Sequence, residues 1–312
     1  MRYLSVRNET LKFSLSDLTL FRVTLPLQAW ANPLAPGQTP VDAPQPPDEP
    51  LAEGSRGFMV RGLQINDTLP AISVTDSYVV YTVKQYRHCY IDLQQSFDDY
   101  LAKFSSKTRS TLKRKVKKFE THSGGRISWK MFATPADMSE FFALARKVSE
   151  KTYQERLLDA GIPDSDSFRR EAEELAGKDQ LRAYILFDGD RPVSYLYCPV
   201  EDDAVIYAYL GYDPDYSHLS VGTVLQWLAT EQLLGEGKFR YFDFTEGESA
   251  HKLLFSTDQR LCANVIFLRR TFANSLLIHA HHTMDNLSRI AGNTLERLGV
   301  KAKIKRLLRS RA

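Results

Sequence analysis

The 312-residue sequence predicts an α/β (α+β) fold with a mixed, mostly antiparallel sheet flanked by helices. Apolar runs of strand length alternate with helical patterns along the middle of the chain. Two turns between neighbouring strand-like runs, "DGDRP" and "EDD", are too short for a crossover, so they join antiparallel strands. Hydrophobic residues make up 43% of the chain and charged residues 25%, which supplies a sizeable core.

Residues 1–89 are predicted to form a β-rich N-terminal extension. Strand-like alternation surrounds Leu18 to Leu27, and runs rich in tyrosine and valine predict strands at Gly57–Ile65 and Tyr78–Leu93. The stretch Ala31–Ser55 holds seven of the 14 prolines, which cannot pair in a central strand. We therefore predict an exposed, irregular loop at residues 31–55.

Residues 90–270 are predicted to be the main domain. Ser96 with Asp99 fits a capping box, and Thr134 followed by Pro135 is a strong helix start. The remaining elements follow from periodicity: helices at Ser106–Glu120, Asp166–Gly177 and Val221–Leu234, a short helix in "SAHKLLFS", and strands in "SWKMF", "LRAYILF", "VSYLYCPV", "DAVIYAYLGY", "KFRYFDF" and "LCANVIFLRR". Residues 271–312 are predicted to form a basic helical tail.

Composition narrows the classes of function. The net charge is only +3, so no whole-protein field favours nucleic acid. Cys89, Cys198 and Cys262 lack metal-ligand spacing and are predicted to be reduced core residues, and "HAHH" at His279–His282 has no supporting carboxylates, so no metal is expected. The first residues carry no signal pattern and no apolar run approaches ~18 residues, so the sequence predicts a cytoplasmic protein.

A predicted strand, an irregular turn and a predicted helix meet in "GYDPDYSHLSVGTVLQ". A helix N-terminus presents unpaired N–H groups and the positive end of the helix dipole, which suits an anion such as phosphate. Gly222 would let a bulky anion approach the backbone, Ser220 could cap the helix, and Thr223 adds a hydroxyl. The pattern is neither a Walker loop nor a dinucleotide fingerprint, and it also fits an ordinary strand–turn–helix with a tolerated glycine.

Three stretches carry motifs of a known family: "FSSKTRSTLKRKVKKFE", "DYSHLSVGTVL" and "FRYFDFTEGESAHKLLFS". The first resembles the "SK-x-R-x-x-[LI]-[RK]" helix of Fem-type proteins, and the third resembles the "DF-x-x-G…YK-x-x-F" segment. Together with the second they resemble the GNAT superfamily of acyl-CoA-dependent N-acyltransferases, in its BioF-like or CelD-type branch, which is related to the Fem aminoacyltransferases. The sequence departs from the family by carrying Ser217 or His218 at the usual glutamine or arginine, and His251 at the usual tyrosine.

The resemblance implies a GNAT-like fold and acetyl-CoA or another acyl-CoA as the cosubstrate. Amides of the loop would hold the pyrophosphate. The acyl carbonyl would accept a hydrogen bond from a backbone N–H of the preceding strand, where two strands part and leave room for pantetheine. The residues so implied are Tyr209, Leu210, Gly211, His218, Leu219, Ser220, Val221, Gly222 and Thr223.

Acyl transfer to an amine needs a base for the amine, a donor to the carbonyl oxygen and an acid for the departing thiolate. The candidates are Glu246, Asp243, His251, Lys252 and Tyr212. The carboxylates could accept the proton, an imidazole of ordinary pKa or the phenol could supply one, and the resemblance implies that the lysine stabilises charge on the transferred group. A solvated turn, a surface helix or simple packing is the competing interpretation for each.

The resemblance also implies a small-molecule or lipid-linked sugar acceptor in bacterial polysaccharide or envelope synthesis, at the inner face of the membrane. Two alternatives remain open. One is a Fem-type transferase that uses aminoacyl-tRNA, and the other is a degenerate GNAT fold kept as a partner- or membrane-binding module.

Two basic segments bear on these alternatives. Lys103 to Lys118 includes eight Lys or Arg residues, which fits a solvated helix, a wall for an anionic acceptor or an RNA contact. The absence of interleaved aromatic residues disfavours RNA, and no DNA partner is expected. The tail has an apolar side, formed by Leu298, Ala302, Ile304 and Leu308, which would suit peripheral contact with an anionic membrane.

Overall fold

The computed structural model of the chain describes residues 1–15, 18–152 and 161–297. The chain divides into two compact units. The outer unit comprises Met1–Pro33, Gly37–Arg87 and Arg260–Ala312, and the central unit comprises Leu34–Pro36 and His88–Gln259. The domain limits expected at residues 89 and 270 stay a prediction, because compactness does not test a functional boundary.

The strands, in chain order, are β1 (Arg2–Leu15), β2 (Leu18–Ala31), β3 (Gly57–Gln64), β4 (Ile72–Val74), β5 (Tyr78–Asp92), β6 (Ser128–Phe132), β7 (Leu181–Asp188), β8 (Arg191–Glu201), β9 (Ala204–Ile206), β10 (Tyr209–Tyr212), β11 (Tyr241–Asp243) and β12 (Asp258–Arg269). The helices are α1 (Phe97–Ala102), α2 (Ser106–His122), α3 (Met138–Ser149), α4 (Asp166–Gly177), α5 (Val221–Glu236), α6 (Ala250–Phe255) and α7 (Phe272–Arg297). Short 3₁₀ turns occupy Pro135–Asp137 and Pro214–Leu219.

The outer unit is built on a long β-hairpin. β1 pairs antiparallel with β2, β2 pairs parallel with β3, and β3 pairs antiparallel with β12. Helix α7 packs on β1, with Leu11, Phe13 and Ile278 in one buried cluster. β1 was not predicted, because few of its side chains are buried and the alternation that marks a half-buried strand is weak.

The proline-rich stretch after β2 contains no helix or strand apart from a single bridge between Val41 and Ile65, as predicted. The expectation that it is exposed throughout is wrong at Leu34. That side chain is 4% exposed and packs with Tyr90, Ala204 and Tyr241 in the central unit. Burial of one apolar side chain thus fixes part of a segment that proline keeps out of the sheet.

The central unit is a mixed sheet in the order β5-β11-β9-β8-β7-β6, with β10 also paired to β8. Among the described residues of this unit, every strand pairing is antiparallel except that of β9 with β11. Helices α1, α2 and α5 pack in one hydrophobic cluster, and α3 and α4 pack in another across the sheet. The predicted mixed, mostly antiparallel sheet flanked by helices is therefore confirmed.

Local signals located several elements well. The Ser96 hydroxyl accepts the Asp99 N–H at 3.1 Å at the start of α1, and α4 has the predicted bounds. Pro135 opens a 3₁₀ turn before α3 begins at Met138. The apolar side chains of the predicted membrane-facing tail lie outside the described residues. Within the described ranges, no helix is long and apolar enough to cross a membrane.

Candidate active site

The sheet of the central unit splits next to the end of β11. The run expected to be one strand is broken into β9 and β10, and the Ala208 N–H reaches the Tyr197 carbonyl at 3.3 Å in an irregular step. The β9–β11 ladder ends at Ile206 and Asp243, followed by one bond from the Tyr207 N–H to the Asp243 carbonyl at 2.8 Å. Beyond that bond β10 follows β8, so a slot opens beside it.

A cavity of about 450 Å³ lies at this slot. Its wall combines β10, the first turn of α5 and the start of α6. The described residues that line it are Tyr207, Leu210, Tyr212, Ser217, Ser220, Val221, Gly222, Thr223, Ser249, His251 and Lys252. The corner between strand and helix is therefore open rather than filled by side chains.

The N-terminus of α5 offers two backbone donors. Ser220 adopts a left-handed conformation (φ 55°, ψ 39°), and its carbonyl accepts the N–H groups of Thr223 and Val224 at 2.9 and 3.0 Å. The Val221 and Gly222 N–H groups find no acceptor within the described part of the chain. The expected role of Ser220 as a side-chain cap is wrong, because its hydroxyl makes no capping bond in this conformation.

A side chain would be excluded at Gly211 and at Gly222 by different structural constraints. A Cβ on Gly222 would lie 3.5 Å from Leu210 Cδ2 and from Tyr212 Cδ1, so a larger side chain would occupy the space between β10 and α5. A Cβ on Gly211 would overlap the buried ring of Tyr195. Gly211 therefore serves packing, whereas Gly222 keeps the cavity open.

The alternation along β10 sorts its residues between two faces of the sheet. Leu210 and Tyr212 line the cavity, whereas the Tyr209 ring packs with Phe168 on the opposite face, with ring centroids 5.9 Å apart. The Asp213 N–H donates to the Val193 carbonyl at 2.9 Å, so the alternating pattern of an antiparallel ladder turns the Leu210 N–H away from β8, toward the slot.

Two residues of the predicted phosphate loop do not line the cavity. Leu219 is 3% exposed and belongs to the core cluster with α5. His218 is exposed, its Nδ1 lies 3.0 Å from the Asp215 carbonyl, and its own carbonyl accepts the Lys118 ammonium at 2.8 Å. Ser217, the other residue at the position of the family's glutamine or arginine, does line the cavity.

The buried carboxylate of Asp213, which was not among the predicted site residues, anchors the turn at Pro214–Leu219. Asp213 is 1% exposed and accepts hydrogen bonds from Arg191 at 2.6 Å and Lys151 at 3.1 Å. Its other oxygen accepts the Asp215 N–H at 3.2 Å. Desolvation alone would raise the pKa of Asp213, but these hydrogen bonds hold it below its usual range. The Asp213 carboxylate therefore links the end of β10 to the turn that follows it.

His251 lies in the cavity wall in an apolar setting. Its ring centroid is 4.9 Å from that of Phe255, and its buried Nε2 has no hydrogen-bond partner among the described residues. Burial, with the charges of Lys115 and Lys252, lowers the pKa of His251 to about 4. The expectation of an ordinary pKa is therefore wrong, and His251 is neutral at pH 7.

Of the predicted site residues that follow β11, some line the cavity and others do not. The Lys252 ammonium lines the cavity and donates to the Glu246 carbonyl at 2.9 Å. The Glu246 side chain is exposed and does not line the cavity. Tyr207, which the sequence analysis overlooked, does line it, and burial raises the pKa of its phenol.

Asp243 is buried, at 5% exposed, and does not line the cavity. Its carboxylate pairs with His88 Nε2 and accepts the Thr245 N–H at 2.6 Å. Alternation along β11 places Asp243 on the face of the sheet opposite Phe242, whose ring belongs to the core beneath α5. The Asp243–His88 pair therefore lies across the sheet from the cavity, next to the last bond before the slot.

The basic segment before and within α2 contacts the site at several points. Lys103 donates to the Phe255 carbonyl at 2.7 Å and so caps the end of α6, while Lys118 holds the loop at His218. Lys115 is close enough to His251 to lower its pKa. Lys113 and Lys117, by contrast, are exposed. The segment is therefore partly structural and partly a source of positive potential.

One family model matches the middle of the chain. Residues 106–253 match the family model described as an acetyltransferase (GNAT) domain. No curated protein matches the chain. Among solved structures, L-PGS from Bacillus licheniformis is 12% identical, with 72% of each chain covered and a TM-score of 0.46. FemX is 10% identical, with 72% of this chain and 75% of that chain covered and a TM-score of 0.43. A GCN5-related N-acetyltransferase from Kribbella flavida is 10% identical, with 62% of each chain covered and a TM-score of 0.33.

Proposed function

We propose that the protein, whose residues 106–253 match an acetyltransferase (GNAT) domain model, transfers an acyl group, most simply acetyl, from an acyl-CoA to an amine. One observation supports acyl-CoA as the acyl donor. The open cavity ends at the two unpaired N–H groups of Val221 and Gly222, at the positive end of the α5 dipole.

The chemistry of this corner fits a diphosphate. Backbone N–H groups at a helix start bind phosphate without a dedicated side chain. Lys252 lines the cavity, Lys118 is bonded to the adjoining loop, and Lys115 acts electrostatically on His251, so the site carries positive potential. The absence of a Cβ at Gly222 leaves the backbone accessible to a bulky anion.

The pantetheine arm of the donor would follow the slot along β10. The Leu210 N–H is the proposed donor to the thioester oxygen, because the ladder leaves that group facing the slot. A fixed N–H aimed at the oxygen where negative charge develops is an effective form of transition-state stabilisation. Lys252 is proposed to stabilise negative charge close by.

The proton transfers are assigned to residues on both sides of the split. The amine nitrogen bonds to the thioester carbon, the carbon–sulfur bond breaks, the amine loses a proton to Asp243, and the thiolate gains one from Tyr212. His88 is a positioning residue that orients the Asp243 carboxylate. His251 and Tyr207 act as hydrogen-bonding walls. The lowered pKa of His251 leaves its imidazole without an acidic proton at pH 7, and the raised pKa of Tyr207 makes its phenol a weak acid.

We further propose an amino-sugar acceptor, small or lipid-linked, in polysaccharide or envelope synthesis in the cytoplasm, with peripheral contact at the inner face of the membrane. The sequence motifs shared with the BioF-like branch support this acceptor class. The Fem-type alternative, with aminoacyl-tRNA as donor, is supported by the exposed lysines of α2 at Lys113 and Lys117.

The deciding experiment is calorimetric titration of the protein with acetyl-CoA, CoA and charged tRNA at two salt concentrations. We expect saturable binding of acetyl-CoA and CoA, followed by acyl transfer to amino sugars seen by mass spectrometry. Binding of tRNA alone would replace the proposal by the Fem-type alternative. Binding of none would leave a fold without transferase activity, kept for docking.

A further inference from the structure

The face of α7 that is turned away from β1 carries a stripe of exposed, uncharged side chains that are apolar except for Thr283. We name it the α7 stripe, and its members are Phe272, Leu276, Ala280, Thr283, Leu287 and Ile290. Successive members are three or four residues apart, which is the spacing of one face of a helix. The four large side chains are between 52% and 85% exposed. Such a row of exposed large apolar side chains marks an interaction surface.

The opposite face of α7 already accounts for the packing of this helix. Ile278 is fully buried in a cluster with Leu11 and Phe13 of β1. His281 Nδ1 lies 2.8 Å from the Tyr81 hydroxyl on the same inner side. At 100° per residue the α7 stripe is centred about half a turn from Ile278. Its apolar character is therefore not needed to hold α7 in place.

The sizes of the side chains in the α7 stripe form a palindrome. Two large residues are followed by two small ones and then by two large ones. An antiparallel second copy of the helix would place Phe272 against Ile290 of that copy, Leu276 against Leu287, and Ala280 against Thr283. Because each contact occurs twice about a two-fold axis, the surface is complementary to itself. Small residues at the crossing allow the two helix axes to approach closely.

The charge and area of the α7 stripe also suit a second copy. None of the six side chains is charged, so no like charges face one another in the pair. Burying such a large apolar side chain removes on the order of 100 Å² from water, so two copies would bury roughly 800 Å² of apolar surface. The area buried in such a dimer is smaller than the ~1,200 Å² at the lower end of stable interfaces. We therefore expect the association to be reversible and to depend on protein concentration.

We propose that the α7 stripe is a self-association surface, through which two copies of this chain form a dimer by antiparallel pairing of α7. A lipid surface would also accept exposed apolar side chains, but it would not require the palindromic order of sizes. The inference is independent of the transferase assignment, since it uses only residues of the outer unit.

Disulfide crosslinking tests the geometry directly, because Cys89, Cys198 and Cys262 are buried. Phe272 and Ile290 are 18 residues apart, or about 27 Å along the helix. A mixture of the Phe272→Cys and Ile290→Cys proteins should form a crosslinked dimer on mild oxidation, whereas each variant alone should not. Crosslinking of Phe272→Cys to itself, or no crosslink in the mixture, would overturn the antiparallel pairing.

Sedimentation velocity over a range of concentrations tests the surface itself. We expect the wild type to shift from monomer to dimer, and the double variant Leu276→Arg/Leu287→Arg to stay monomeric at every concentration. Leu20→Arg is the matched control, since Leu20 is 51% exposed on β2, and it should dimerise like the wild type. A monomeric wild type overturns the proposal. Binding to phosphatidylglycerol vesicles by a monomeric wild type, lost in the double variant, would assign the stripe to lipid instead.

Discussion

The Tyr207 N–H donates to the Asp243 carbonyl at 2.8 Å, and this is the last backbone bond between the two strands before the sheet opens. On one side of the opening lies the cavity with the Val221 and Gly222 amides. On the other lies the Asp243 carboxylate with His88. A donor and an acceptor approaching from opposite faces would meet at this split.

Gly222→Leu should strongly weaken the binding of acyl-CoA. The added side chain would fill the space now bounded by Leu210 and Tyr212, which a single Cβ would already contact at 3.5 Å. Calorimetry with CoA should show at least a tenfold weaker affinity. The matched control is Gly235→Leu in the same helix, where a Cβ meets nothing within 4 Å. Equal affinity in the two variants would place the diphosphate elsewhere.

Asp243→Asn should lower kcat by about 10²–10⁴-fold with little change in the affinity for acyl-CoA, because the carboxylate lies across the sheet from the cavity. His88→Gln should lower kcat less, since it removes only the group that orients Asp243. Steady-state kinetics at several pH values check both variants. If Asp243→Asn retains the activity and pH profile of the wild type, another group is the base.

His251 should make the folded protein sensitive to acid. Its pKa is about 4 in the folded chain against an ordinary value of 6.5, so between these values the unfolded chain takes up a proton that the folded chain does not. The stability contribution is complete above about pH 6.5 and is lost as the pH falls toward 4, by at most about 3 kcal/mol.

Urea unfolding at pH 7 and pH 4.5 measures this loss of stability. The difference between the two pH values should shrink in His251→Gln and persist in the control His218→Gln, whose side chain is exposed. An identical pH response in wild type and His251→Gln would contradict the assignment.

Gly211→Ala should destabilise the protein by about 1–3 kcal/mol, because the new methyl group would overlap the buried Tyr195 ring. Tyr195→Leu in the same chain should recover part of that loss by providing space. Thermal and urea unfolding of the two single variants and the double variant measure the coupling. Strictly additive losses would show that the ring is not the obstacle.

The sequence predicted those parts of the site that depend on local rules. The helix start at Val221 and the cap of α1 at Ser96 depend on neighbouring residues, and the structure confirms both. The break between β9 and β10 has no such signal, since "AVIYAYLGY" reads as one continuous strand. Only its competing pairings with β8 and β11 divide it.

The residues that the sequence missed depend on contacts between distant segments. His88 reaches Asp243 because β5 pairs with β11, 155 residues further along the chain. Asp213 is clamped by Lys151 and Arg191, which come from separate elements. Neither periodicity nor spacing in a single sequence predicts these contacts between distant segments. A resemblance to family motifs can identify residues near such a contact, but it does not identify the contact itself.

The backbone of Ser220 has a consequence for engineering. Ser220 has a positive φ, which lowers the stability of the folded chain by on the order of 1 kcal/mol relative to glycine at the same position. Ser220→Gly is thus a route to a more heat-resistant protein, at the cost of a hydroxyl that lines the cavity.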